Sequence, residues 1–303
     1  MQIGLIGLGK MGLNLARNLT DHNHEVVGFD LSTNAVNEIK KYGCTGVYNL
    51  VDLVKSLDQP RILWIMVPHP VVDSVINELI PSLNSGDIII EAGNSHYKDS
   101  IRRYNYLKKV GVSFMDVGTS GGTEGARKGA CYMVGGDPET WKIVEPIFQD
   151  TAVEKGYLYA GKAGSGHFLK MIHNGIEYGM MAAIGEGFEI LEKSEFNFDY
   201  ESVARVWNNG SVIRSWLMDL TENAFSKDSN LQGVKGIMHS SGEGKWTVDT
   251  ALDLQAATPV IAMSLLMRYR SLEDDTFTGK VVAALRNEFG GHAFEKNEKV
   301  TSV

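Results

Sequence analysis

The segment Gly164-Ser165-Gly166-His167-Phe168-Leu169-Lys170-Met171-Ile172-His173-Asn174-Gly175-Ile176-Glu177-Tyr178 holds the densest set of side chains that could do chemistry. Counted from Lys170, His173 stands at i+3, Asn174 at i+4, Glu177 at i+7 and Tyr178 at i+8. A helix would bring all five onto one face. The positions between them, Leu169, Met171, Ile172, Gly175 and Ile176, are apolar or small. A polar stripe on so apolar a helix points to a cleft, the plainer alternative being a solvated face with a charge pair. In a cleft, desolvation favours the neutral lysine, so Lys170 is a candidate general base toward a hydroxyl. Glu177 is then a candidate general acid on a different carbon. Two groups with separate tasks suit an oxidation followed by a decarboxylation.

An oxidation needs an acceptor, and the N-terminus offers a site for one. Gly7-Leu8-Gly9-Lys10-Met11-Gly12 fits G-x-G-x-x-G, directly after an apolar run at 2–6 and ahead of a helical pattern at 11–19. In that context Gly7 permits a tight turn, Gly9 lets the backbone approach a pyrophosphate, and Gly12 lets helix and strand pack closely. The helix N-terminus presents free N–H groups to the phosphates. Asp30 ends the next apolar run, where a carboxylate accepts from ribose hydroxyls and repels a 2′-phosphate. Leu31-Ser32-Thr33 follow with no arginine to hold that phosphate, which favours NAD over NADP. Helix capping is the competing task for Asp30.

The elements that must position these groups change in kind along the chain. Apolar runs at 25–30, 62–67, 87–91, 112–116 and 130–134 read as strands of a parallel sheet covered on both faces. Two polar, glycine-rich loops follow such runs, Glu91-Ala92-Gly93-Asn94-Ser95 and Gly118 to Arg127, at the strand ends where ligands bind in such sheets. Beyond Gly161–Gly166 the patterning is helical, at 168–193, 200–208, 213–223 and 252–272. The expected fold is an α/β Rossmann-type, doubly wound, mostly parallel sheet domain over 1–163, followed by an all-α domain over 164–303 that ends in a C-terminal tail.

The bulk composition narrows the partners. The 303 residues are 43% hydrophobic and 22% charged, enough for a sizeable core. A formal net charge of -8, with no basic stripe, argues against nucleic acid. No apolar run reaches membrane-spanning length, and no signal-peptide pattern opens the chain. Cys44 and Cys131 lie far apart without His or Cys neighbours at metal spacing, and read as two reduced core thiols in a cytoplasmic protein. No metal is expected.

Together these segments resemble the 6-phosphogluconate dehydrogenases over most of the chain, in a short-chain, NAD-dependent form. The family's cofactor loop is similar to Gly7–Gly12, its E-x-G-N-S segment to Glu91–Ser95, and its S-G-G-x-E-G-A-R segment to Ser120–Arg127. Its G-x-G-H-x-x-K-M-x-H-N-G-I-E-Y segment is similar to Gly164–Tyr178, and its K-W-T segment to Lys245-Trp246-Thr247. The resemblance implies that Lys170 takes the C3 hydroxyl proton of 6-phosphogluconate while hydride leaves C3 for the nicotinamide. The 3-keto acid then loses CO2 and Glu177 protonates C1 of the enediol, giving ribulose 5-phosphate as in the pentose phosphate pathway and gluconate utilisation. The ketone is the electron sink, so the implied chemistry needs no metal.

The same resemblance implies that Asn94, Ser120, Gly121, Gly122, His173 and Asn174 hold the sugar acid. Tyr178 and Arg268 contact its phosphate, and Val67-Pro68-His69 stands on the nicotinamide side, where the family reads V-K-A. Ser241 replaces a phosphate-contacting lysine of the long-chain members. Arg286-Asn287-Glu288-Phe289-Gly290-Gly291-His292 is similar to a C-terminal R-x-x-F-G-x-H tail through which one subunit reaches its partner's substrate. A homodimer or a dimer-based tetramer with Arg286 and His292 acting in trans follows from it. A 3-hydroxyisobutyrate-type β-hydroxyacid dehydrogenase shares the fold, the glycine loop and the lysine. A non-catalytic NAD-binding sensor would not need Lys170, Asn174 and Glu177 together.

Overall fold

The computed structural model describes residues 1–293 and 295. They fall into two compact units that divide between Gly175 and Ile176.

The first unit runs β1 (Gln2–Ile6), α1 (Lys10–Asp21), β2 (Glu25–Phe29), α2 (Thr33–Lys40), β3 (Thr45–Val47), α3 (Leu50–Lys55), β4 (Ile62–Ile65) and α4 (Val72–Leu79). It continues with β5 (Ile88–Glu91), α5 (Tyr97–Lys108), β6 (Ser113–Ser120), α6 (Gly122–Lys128), β7 (Ala130–Gly136), α7 (Pro138–Thr151), β8 (Ala152–Gly161) and the first turns of α8 (Ser165–Glu192). The strands form one 8-stranded sheet in the order β3-β2-β1-β4-β5-β6-β7-β8. The central strands are apolar throughout because both of their faces are covered. Their side chains alternate between two cores: Ile3, Leu5, Ile62, Trp64, Ile88 and Ile90 enter one. Ile6, Leu63, Ile65 and Ile89 enter the other.

Three details depart from the sequence reading. The strands read at 112–116 and 130–134 pair antiparallel, as β6 and β7, within an otherwise parallel sheet. Their link holds only the seven residues of α6 and their flanks, too short for the crossover that parallel pairing requires. The edge strands β3 and β8 were not foreseen; β3 is only three residues long, and the apolar stretch 157–160 of β8 follows the charged pair Glu154-Lys155. Cys44 is buried, but Cys131 is exposed and so is not a core thiol.

The second unit is helical in its described residues. After α8 come α9 (Tyr200–Asn208), α10 (Trp216–Lys227), α11 (Glu243–Asp253), α12 (Pro259–Arg270) and α13 (Phe277–Gly290). The single helix expected over 252–272 is instead the end of α11 and the whole of α12. Pro259 opens α12 at a position where its missing N–H is harmless, and it could not have continued α11. The core here is small: Phe188, Ala204, Met218 and Phe225 are buried, flanked by Tyr200 and Trp207.

Candidate active site

The turn after β1 shows why each of its glycines is a glycine. Gly7 has φ +95°, and a Cβ there would meet the Met66 carbonyl oxygen at 2.5 Å. A Cβ on Gly12 would lie 1.9 Å from the Gly7 carbonyl oxygen, so α1 could not pack so close with any other residue. At Gly9 a Cβ would meet nothing within 4 Å, which leaves the backbone open to a ligand. Gly9 is also the N-cap of α1 and supplies no side-chain partner to the N–H groups of the first turn. Uncapped N–H groups beside open space fit a dinucleotide pyrophosphate. Leu8 is buried, so only its backbone is at hand, whereas Lys10 is exposed and Met11 half-buried.

Asp30 is half-buried directly after β2 and joins this turn. Its Oδ2 accepts from Leu8 N–H at 2.7 Å and its Oδ1 from Ser32 N–H at 2.8 Å. The N-cap of α2 is Ser32, whose Oγ accepts from Ala35 N–H, so capping is not the task of Asp30. Leu31 is 93% exposed and covers nothing. β1 and β4 are neighbours in the sheet, and the strand order reverses there. The Val67-Pro68-His69 segment therefore lies beside the glycine turn, and Val67 in turn touches the Asn94 loop. A Cβ on Gly93 would stand 2.3 Å from the Val67 carbonyl oxygen. Asn94 adopts φ +54°, and its Oδ1 is buried with no hydrogen-bond partner among the described residues. An orphaned buried acceptor of this kind suits a donor from a ligand or a water.

The polar stripe of α8 lies on its covered side: Lys170, Asn174 and Tyr178 are 7%, 9% and 5% exposed. The apolar positions are not uniformly packed, for Ile176 and Met180 are open. Lys170 Nζ is 3.5 Å from His173 Nδ1, which is 3.0 Å from Asn174 Oδ1. His173 Nε2 is 3.3 Å from Ser120 Oγ, so the end of β6 and α8 present one group of polar atoms. Gly121 and Gly122 follow Ser120 with φ +110° and +59°, and a Cβ on Gly122 would meet nothing within 4 Å.

Sequence reasoning missed what holds this helix in place. Asp116 is fully buried on β6 and accepts from Gly164 N–H at 2.6 Å and His167 N–H at 2.8 Å, at the start of α8. Burial pushes its carboxyl above the ordinary range, and nearby Glu91 adds to that, while His167 and the two N–H groups pull it down. A Cβ on Gly118 would fall 2.3 Å from the Lys170 Cβ, so β6 and α8 touch at the lysine itself. A carboxylate closing an apolar strand, two residues before a glycine, was the available signal.

In the second unit, the Arg268 guanidinium lies over the Tyr178 ring, 3.6 Å from its centroid. Arg268 Nη1 donates to the His239 carbonyl at 2.7 Å. Tyr178 Oη accepts from Ser241 N–H at 3.2 Å, and a Cβ on Gly244 would meet the Tyr178 ring at 2.4 Å. Tyr178, Arg268 and Ser241 are thus brought together beside Gly244, the residue before the K-W-T segment on α11. Ser241 Oγ is engaged by Glu243, and Lys245 pairs with Asp249. Glu177 is half-buried on α8. Arg286 stands on α13 just ahead of its last turn; Gly291 closes that helix with φ +64°, and the His292 carbonyl accepts from Asn287 Nδ2 at 3.0 Å. The segment read as a reaching tail therefore begins as helix. Residues 296–303 at its end lie outside the described residues. A separate apolar cleft of about 570 Å³, lined by Met181, Ile184, Phe188, Leu217, Leu220 and Phe225 among others, contains none of the predicted site residues.

Comparison with known proteins agrees with this geometry. Residues 2–161 match the NAD binding domain of 6-phosphogluconate dehydrogenase, and residues 166–282 match the 6-phosphogluconate dehydrogenase C-terminal domain. A Bacillus subtilis protein named "Putative 6-phosphogluconate dehydrogenase YqeC" is 72% identical over 296 residues, covering 98% of this chain and 100% of that protein. The NAD(+)-dependent, decarboxylating 6-phosphogluconate dehydrogenase of Haloferax volcanii is 40% identical over 301 residues, with 98% and 100% coverage. Among solved structures, Plasmodium falciparum 6-phosphogluconate dehydrogenase, described apo, with NADP+ and with 6-phosphogluconate, superposes with TM-score 0.83 at 28% identity. It covers 99% of this chain and 67% of that one. Two domain matches in series and relatives aligned along their whole length lead to one conclusion: the chain belongs to the 6-phosphogluconate dehydrogenase family.

Proposed function

We propose that the chain oxidises and decarboxylates 6-phospho-D-gluconate to ribulose 5-phosphate and CO2, with NAD as hydride acceptor. The observation that carries this reading is the Lys170–His173–Asn174 cluster, with Lys170 and Asn174 buried, joined to Ser120 at the end of β6. When bound, NAD takes the hydride from C3. Lys170 takes the C3 hydroxyl proton on Nζ, and as an ammonium it then stabilises the charge that builds on the C3 oxygen as the C1–C2 bond breaks and CO2 leaves. Glu177 delivers a proton to C1 of the resulting enediol, the former C2 of the acid. Ser120, Gly121, Gly122, His173, Asn174 and Asn94 hold the sugar acid, and Tyr178 with Arg268 receives its phosphate. The match of the second domain to the family's C-terminal domain favours this substrate over that of a 3-hydroxyisobutyrate-type enzyme.

The choice of NAD rests on Asp30, a carboxylate where a 2′-phosphate would have to sit, and on the NAD(+)-dependent name of the Haloferax relative. A homodimer or dimer-based tetramer in the cytoplasm, with Arg286 and His292 acting in trans, completes the reading. Its support is the apolar face of α13, where Phe277, Val281, Val282 and Leu285 are 79%, 41%, 50% and 57% exposed. A steady-state assay with 6-phosphogluconate and each of NAD and NADP tests the proposal. Turnover with the higher kcat/KM for NAD is expected. No turnover would overturn the substrate, and a preference for NADP would overturn the cofactor.

A further inference from the structure

Glu91 ends β5 with no exposure at all, and its carboxylate is the hub of a buried polar network. Oε1 accepts from Gly93 N–H and from Ser95 Oγ, each at 3.0 Å. Oε2 accepts from Arg103 Nη1 at 3.1 Å. Arg103, itself 2% exposed, also donates to Ser95 Oγ at 2.8 Å and to Asp73 Oδ1 at 2.8 Å. The Asn94 turn is therefore folded around one carboxylate: the residue before Asn94 and the residue after it both donate to the same oxygen.

The network continues into the lysine helix. His167 Nδ1 is 2.7 Å from Ser100 Oγ and 3.6 Å from Glu91 Oε2. The His167 ring is thus wedged between α5 and the end of β5. Its backbone N–H donates to Asp116 Oδ2, three residues before Lys170. A Cβ on Gly166 would meet the Asp116 and Met133 carbonyl oxygens at 2.4 Å each, so this turn of α8 has no freedom to shift along the sheet.

We infer that Glu91 and Asp116 are positioning residues that, through His167 and Ser100, lock the Asn94 turn and the first turn of α8 into one rigid body. The distance between Asn94 and Lys170 is then set by two buried carboxylates that need not touch any ligand. Both positions demand acceptors only. Every partner of Glu91 is a donor, and so are both partners of Asp116, so an amide at either place would set N–H against N–H. Displacements of about 1 Å at a reacting centre cost up to about a hundredfold in rate, which is why such a lock matters. This inference rests on the dehydrogenase reading for its kinetic consequence alone.

The test uses the full-length protein with Glu91→Gln, Asp116→Asn and the double variant. Amide hydrogen exchange is followed beside steady-state kinetics. Each single variant is expected to raise exchange in both 92–96 and 164–170 while residues 1–30 stay protected. Each should lower kcat about tenfold with the KM for NAD within about twofold, and the double variant should be no more than about twofold slower than the worse single. Exchange that rises only next to the altered residue, or losses that multiply in the double variant, overturns the lock. Ser100→Ala keeps both carboxylates and cuts the link to His167. It should raise exchange at 92–96 and 164–170 together, and unchanged exchange there overturns the proposal even if the other variants fail to fold. Should the wild type not turn over 6-phosphogluconate, the exchange results still decide this inference, and the substrate reading alone falls.

Discussion

The two units of the chain solve the problem of holding polar groups in opposite ways. In Met1–Gly175, the groups around Lys170 are buried and braced by partners from several elements: Asp116 from β6, Glu91 from β5, Arg103 and Ser100 from α5. Two extensive apolar cores flank the sheet that carries them. In the second unit, Arg268 and Tyr178 brace each other, while the helices around them leave large apolar side chains open. On α12, Val260, Met263, Leu266 and Met267 are 68%, 57%, 54% and 45% exposed. The polar groups of the first unit are thus fixed by buried partners within one chain. The open apolar side chains of the second unit are surface of the kind that marks interaction sites.

The contrast predicts effects of graded size. Lys170→Met strikes the braced side and should lower kcat by about a thousandfold or more, while NAD binding measured by titration is kept. A variant that also loses NAD affinity would show that the lysine is not confined to the substrate. Next comes the partner-dependent side. Arg286→Ala should cost about a hundredfold in kcat/KM. Hybrids of Lys170→Met and Arg286→Ala subunits should regain one working site per dimer. Absence of recovered turnover despite demonstrated subunit exchange counts against action in trans.

Arg268→Lys removes a planar, stacked guanidinium and keeps the charge. The KM for 6-phosphogluconate should rise about tenfold with kcat nearly unchanged. A fall in kcat instead would mean that Arg268 itself sets reacting geometry. Asp30→Asn keeps an acceptor for Leu8 N–H but drops the charge, so the ratio of NAD to NADP efficiency should fall about tenfold. An unchanged ratio removes Asp30 as the discriminator.

The smallest effect is on acid stability. Hydrogen bonding to Arg103 pulls the Asp73 carboxyl from 3.8 down to about 2. A carboxyl held low in the folded state stabilises it at any pH above its unfolded value. That contribution disappears as pH falls from about 4 through 2. The Asp73 side chain is 44% exposed, so the contribution is under about 1 kcal/mol. Asp73→Asn should lower the thermal midpoint slightly at pH 7 and flatten its decline between pH 4 and 2. An unshifted midpoint at pH 7 with an equally steep acid decline would sink this assignment.

How much of this was legible in the sequence follows from where each signal lives. The glycine turn, Asp30 and the Lys170–Tyr178 stripe are local patterns, and local patterns survive in one dimension. The boundaries of β1 and α9 were read at the residues where they occur. The antiparallel turn of β7 was not, because strand direction depends on what a short connection can reach and not on the apolar run itself. Pro259 marked a helix boundary that the apolar periodicity over 252–272 had concealed. Asp116, Arg103 and His167 escaped as a network because their partners lie 48 to 76 positions away or in other elements: Asp116 bonds Gly164 at a separation of 48 and His167 at 51, and Glu91 faces His167 across the sheet edge. Charged residues at such separations reveal nothing until the topology brings them together.

Asp30 illustrates what such sharing means over longer times. Its Oδ2 ties down the Leu8 N–H inside the glycine turn, while on the proposed reading the same carboxylate discriminates against a 2′-phosphate. A lineage drifting toward the phosphorylated dinucleotide cannot simply discard the acid, because the turn that grips the pyrophosphate would lose its brace in the same mutation. A neutral acceptor such as asparagine or serine is the passable first step. Cofactor choice in this chain is therefore inherited together with the shape of its phosphate loop, and the two can be separated only in that order.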